Sequence, residues 1–171
     1  TGEVLWKMPY SSGYVHPEGA IPLGNKVLVT SSGDYLISGD VYWEDPWNPG
    51  GPKVLRPLFV LVDSTGTEKW VLPFGLYDTI HGTGDNALEI SNDYFIGIGS
   101  YWTNQEYVEP LFMRFNLVGN EIDHQILYTN QINQDLIGGS FLYSELINSE
   151  LFSGGVFVFP NSNGYPIMET R

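Results

Sequence analysis

The stretch Tyr35–Trp43, Tyr-Leu-Ile-Ser-Gly-Asp-Val-Tyr-Trp, returns at Tyr94–Trp102 as Tyr-Phe-Ile-Gly-Ile-Gly-Ser-Tyr-Trp. A looser copy, Leu-Phe-Ser-Gly-Gly-Val-Phe-Val-Phe, covers Leu151–Phe159, so the copies start 59 and then 57 residues apart. Repetition near this period means stacked supersecondary units, each burying a face against the next, rather than one irregular fold.

A second phrase repeats out of step with the first. Thr1-Gly2-Glu3-Val4-Leu5-Trp6 is matched by Thr65-Gly66-Thr67-Glu68-Lys69-Trp70, while Val118-Gly119-Asn120-Glu121-Ile122-Asp123 keeps the glycine and replaces the tryptophan with Asp123. Glycine suits the tight turn of a hairpin, where positive φ strains any residue that carries a Cβ. Within each unit a short first strand (Val27–Thr30, Ala87–Ile90) precedes a turn and the long repeat strand. Pro57–Asp63 and Pro110–Asn116 then give a third, largely apolar strand at an offset of 53, and Pro166 onward reads as its third copy at 56. Residues 11–25 and 44–53, rich in Pro and Gly, read as loops. The most helical stretch, 131–136, is short and polar.

Four short strands per unit, separated by turn signals, predict an all-β chain and specifically a β-propeller segment of about three four-stranded antiparallel blades. The expected division is a last strand of a preceding blade at 1–10, a blade at 26–75, a blade at 86–128 and an incomplete blade at 139–171. A closed ring needs about four to eight blades. The chain is therefore expected to belong to a larger ring, either as part of a longer protein or as one of several copies.

The run Val62-Asp63-Ser64-Thr65-Gly66-Thr67-Glu68-Lys69-Trp70, followed by Phe74-Gly75, resembles the Asp-x-x-Gly-x-x-x-Trp signature of quinoprotein-like and WD40-like propellers. With Gly-Asp-Tyr-Leu-Ile-Ser-Gly before it, the pattern is similar to secreted repeats of bacteria that export surface proteins by the type IX route. The resemblance implies scaffolding, adhesion or surface display. It also implies that Trp6 and Trp70, with the turn glycines Gly2, Gly66 and Gly119, dock one blade on the next. Asp123 departs from that pattern, so its joint should be looser or sealed differently.

Seven Lys plus Arg against twenty Asp plus Glu give a net charge of −13, which opposes phosphate backbones and anionic lipid. Nucleic acid is not an expected partner, and no apolar run is long enough for a membrane helix. The chain has no cysteine, which removes disulfides and thiolate metal sites. Scarce lysine and abundant neutral polar residues point to a secreted or cell-surface location.

No Gly-x-Ser-x-Gly elbow, P-loop or Cys-His pair occurs, so no catalytic residue is assigned. His16, His81 and His124 lack metal-ligand spacing. His81 and Asp85 flank His81-Gly82-Thr83-Gly84-Asp85, read as a polar loop at the mouth of a channel, and form a weak site candidate. Trp43, Glu44, Asp45 and Trp47 combine aromatic faces with carboxylates, a pairing that suits sugar, and Tyr101 and Trp102 repeat Tyr42 and Trp43 on the same rim. No metal or cofactor is assigned. Calcium is the one candidate, at Asp63–Gly66 or Gly84–Asn86, although a calcium site takes six to eight oxygens and these loops offer fewer. The expected function is a non-catalytic scaffold or binding module for protein or surface glycan. The alternatives are a glycan hydrolase or lyase using His81 and Asp85, and a structural subunit of a larger surface assembly, including a homo-oligomer.

Overall fold

A computed structural model describes residues 23–44, 53–75, 81–91, 94–102, 108–132, 138–147, 150–160 and 166–170. Gly2, Trp6, Asp45 and Trp47, and the expected strand at 1–10, lie outside them. The described chain is all-β, in three antiparallel meanders. The first sheet has the order β1 (Leu23–Val29), β2 (Tyr35–Glu44), β3 (Lys53–Val62), β4 (Glu68–Pro73), and the second β5 (Gly82–Ser91), β6 (Tyr94–Trp102), β7 (Val108–Asn116), β8 (Glu121–Ile126). A single helical turn, α1 (Thr129–Ile132), leads to the third sheet, in which β10 (Glu150–Pro160) lies between β9 (Gly138–Ile147) and β11 (Pro166–Thr170). The buried Glu109 carboxylate accepts the Thr129 N–H at the start of that turn, at 2.9 Å.

The sheets pack in chain order, each through its first strand. β5 lies against β1, β2 and β3, and β9 lies against β5, β6 and β7. The core between the first two sheets joins Leu36, Phe59, Leu61, Leu72 and Phe74 to Ala87, Phe95, Leu111, Met113 and Phe115. Phe59 and Phe115 meet at 4.5 Å between centroids. Burying an aromatic of this size contributes about 1.5–3 kcal/mol, which makes this shared core the main adhesive between the sheets. A second cluster, Val41, Leu58, Val60 and Val62, lies on the opposite face of the first sheet. There the fully buried Arg56 donates to the Gly75 carbonyl, while the Gly75 N–H donates to Glu121 Oε1 at 2.8 Å, tying the end of β4 to β8.

The hairpin turns share one geometry. Gly33, Gly66 and Gly119 have φ of +82°, +85° and +78°, and each donates its N–H to the carbonyl three residues earlier, on Thr30, Asp63 and Asn116. The side chain at that earlier position closes the turn as well. Asp63 Oδ1 accepts from Thr65 N, Thr65 Oγ1 and Thr67 N, Asn116 Oδ1 accepts from Val118 N and Asn120 N, and Thr30 Oγ1 accepts from Asp34 N.

The register corrects the alignment drawn from the repeat words. β1 skips Asn25 against β2, β5 skips Asp85 against β6, and β9 skips Leu142 against β10, so each first strand bulges at this station, and β5 skips Ile90 as well. Matching the bulges places Gly39 with Gly99 and Gly155, and offsets the first two copies of the long strand by 60 residues rather than 59. In a strand a slip of one residue changes the face of every side chain. Tyr42 therefore corresponds to Trp102, and Tyr101 to Val41. Pro166 is likewise not the counterpart of Pro57 and Pro110. Those two pair with Asp40 and Ser100, whereas Pro166 pairs with Pro160, farther along its neighbour.

Candidate functional site

At the hairpin end of the sheets, Trp70 crosses from β4 to the second sheet. Its indole N–H donates to the Leu117 carbonyl at 2.8 Å, and its ring meets Phe115 edge-on at 5.9 Å and Phe95 at 6.4 Å. Gly119 lies against the indole so closely that a Cβ there would come within 2.8 Å of Cδ2. A ring held on these sides is part of a joint, not a platform for a ligand. Beside it, Ser31 donates both its N–H and its hydroxyl to the Glu89 carboxylate, at 2.6 and 2.7 Å, again joining the two sheets. Lys69 bonds Asp34 at 2.6 Å, and this contact together with the Ser32 hydroxyl holds the Asp34 carboxyl below the usual range. A cleft of about 800 Å³ opens here, with Leu61, Trp70 and Phe95 among its walls and the half-exposed turn residues Leu117 and Val118 at its rim.

The next joint is built from different chemistry. Leu61 pairs with Trp70 across β3 and β4, and the same register positions of β7 and β8 hold Arg114 and Asp123. These two form a bidentate ion pair, with Arg114 also placed over the Tyr94 ring at 5.6 Å. An apolar cross-strand pair has been exchanged for a charged one, and β8 is exposed along nearly its whole length where β4 becomes buried. The third sheet reaches the second instead through Phe141 against Phe112, at 5.5 Å, and through Asn86 Nδ2 donating to the Ser144 carbonyl at 3.2 Å.

The opposite end of the sheets holds the remaining candidates. His81 to Asp85, read from sequence as a loop, is extended: Gly82 opens β5 and the His81 carbonyl accepts the Trp102 N–H at 2.8 Å. Its glycines mark close backbone approach rather than a turn. A Cβ on Gly82 would lie 1.8 Å from the Ser100 carbonyl, and one on Gly84 would lie 2.7 Å from the Gly39 carbonyl of the first sheet. Asp85 is the bulge residue and accepts from Ser100 Oγ at 3.3 Å.

Its neighbour across the joint is Asp40, whose Oδ1 accepts the Gly84 N–H at 2.8 Å and whose Oδ2 accepts from Asn25 at 3.2 Å. Burial pushes both carboxyls up, and the Asp40 charge adds to the effect on Asp85. Asp40 was not singled out from sequence. The available signal was an acidic residue at a position of a repeat strand where the other copies carry Ser100 and Val156.

Tyr42 and Trp102, equivalent by register, are 47 % and 50 % exposed, whereas Tyr101 packs against the shared core. The expected rim is thus redistributed. Trp102 faces solvent and Tyr101 turns inward, while Trp43 and Glu44 close β2 opposite Val54 and Lys53. In the proposed calcium loops, Asp63 Oδ1 serves the turn, and Asn86 Oδ1 accepts the Ala87 N–H. Among the described residues no group of three or more His, Cys, Asp or Glu side chains is placed to hold a metal ion. Comparison with protein-family models, with curated proteins and with solved structures finds no match for this chain.

Proposed function

We propose that the chain is a segment of a β-propeller acting as a non-catalytic, secreted or cell-surface binding module for protein or glycan. The blade reading is supported by antiparallel meanders that follow one another in chain order, each packed on the last through its first strand. The binding reading is carried by one observation: Tyr42 and Trp102 sit at the same place in successive sheets and leave about half of their surface in water. Large aromatics displayed in register at one end offer flat faces to sugar rings or to a partner's apolar side chains.

The test is binding of the chain to a glycan array and to immobilised extracellular proteins, with Tyr42→Ala and Trp102→Ala compared by circular dichroism to establish an unchanged fold. Retention on one panel, reduced at least tenfold by Trp102→Ala, is the expected result. No retention on either panel, or retention that ignores both substitutions, removes this reading. A second reading, glycan hydrolysis or elimination, draws on the raised Asp85 carboxyl, because perturbed acids gather at active sites. It requires turnover of a glycan that Asp85→Asn abolishes.

A further inference from the structure

The backbones of the first two sheets approach each other closely at Gly84, and two acidic residues border that approach. Asp40 reaches from β2 to the backbone of β5 at Gly84, Asn25 donates both to Asp40 and to the Gly84 carbonyl at 3.3 Å, and Asp85 follows at the bulge. A Cβ on Gly84 would also lie 3.4 Å from Pro57 Cβ, so the backbones themselves nearly touch. The two aspartates derive from different positions of the repeat. In the first sheet the bulge residue is the amide Asn25 and its partner on β2 is the acid; in the second sheet the bulge residue is the acid and its partner on β6 is the hydroxyl of Ser100. Stacking the sheets brings one carboxylate from each arrangement to the same joint.

Asn25 and Ser100, whose side chains hydrogen-bond these two carboxylates, are neutral. β1 contributes neutral Asn25, with the exposed Lys26 next to it, β3 contributes Pro57, with Arg56 on the other face of the sheet, and β6 contributes Ser100. On β5 itself the titratable residues are His81 just before its start, Asp85, and Glu89 held by Ser31 at the far end. β9 presents Ser144 to Asn86, with Glu145 exposed beside it.

We propose that Asp40 and Asp85 make this joint acid-tightened: it takes up a proton between the two carboxylates and holds the two sheets together more firmly as the pH falls from neutral. Two like charges in a confined, partly dry space repel, and a proton removes the repulsion while leaving the Gly84 and Ser100 hydrogen bonds in place. The sign follows from burial. Both folded-state carboxyls lie above the unfolded value of about 3.9. Their contribution is therefore complete below that value and is lost as the pH rises through the raised folded values.

The test is amide exchange at Gly84, corrected for the intrinsic rate, at pH 4.0 and 7.5. Protection in the unmodified chain should rise at least threefold at pH 4.0, where most of the contribution of the two carboxyls is present. In Asp85→Asn, which keeps an acceptor for Ser100, the rise should shrink below twofold. Protection indifferent to pH in the unmodified chain, or an equal rise in the variant, overturns the proposal. Should Asp85→Asn not fold, carboxyl carbon titration of the unmodified chain decides: midpoints for Asp40 and Asp85 above the ordinary aspartate range support the joint, and midpoints within or below it refute it.

Discussion

Gly119→Ala strikes the Trp70 joint twice, and the chain contains a control that separates the two effects. At φ +78° a residue with a Cβ pays roughly 1–2 kcal/mol for the left-handed conformation. The added methyl would also meet the indole at 2.8–3.0 Å from three ring atoms, and crowding in a packed site typically costs about 1–3 kcal/mol. Gly33 has almost the same φ, +82°, but nothing within 4 Å of its would-be Cβ. Gly33→Ala should therefore show the backbone cost alone, and Gly119→Ala should exceed it by roughly 1–3 kcal/mol. Urea unfolding monitored by far-UV circular dichroism measures both. In a Trp70→Ala background the excess should vanish, because the methyl then has room. Equal costs for the two glycines, or strict additivity of Gly119→Ala with Trp70→Ala, would refute the claim that this turn is clamped by the indole.

Three further outcomes follow. Gly97→Ala places a Cβ 2.3 Å from the tip of the Phe59 ring and should destabilise by roughly 1–3 kcal/mol, with Phe59→Leu restoring part of the loss in the same unfolding assay. Replacing the Arg114–Asp123 pair by Leu and Trp rebuilds the chemistry of the first joint and should raise the melting midpoint by about 2–4 °C, the shift of one kcal/mol in a chain of this size; a lower midpoint would show that the second joint cannot accept an indole. Asp34 is held below the usual range by Lys69 and Ser32, so its stabilisation is present above pH ~3.9 and is lost as the pH falls through its lowered folded value. Thermal melts of Asp34→Asn should thus lie below the parent at neutral pH and converge with it in acid; a constant gap across the range would assign the effect to packing instead.

The all-β class and the serial units were legible because turn glycines and the repeat words are local signals. Gly66 and Gly119 sit where a positive φ was expected, and the short helix begins at Thr129, next to the most helical stretch of the sequence. The face of each side chain was not legible. The repeated words align best at one offset, while the ladder, reset by a bulge, runs at another, and that one-residue difference interchanges Tyr101 and Trp102 between core and solvent. Gly82 and Gly84 misled for a related reason: glycine marks both turns and close backbone approach, and only the neighbouring strand tells which. Asp40 escaped notice because its partner, the Gly84 N–H, lies in another sheet 44 residues away.

The bulges carry a consequence for how such a chain can diverge. Asn25 and Asp85 each stand outside the pairing of their strands, so an amide and an acid occupy one geometric station without altering the ladder around it. The first two sheets thereby each have a station whose side chain varies while the ladder stays constant. A library built at these two stations would vary the chemistry beside the joint between the first two sheets and leave the strand ladders in place.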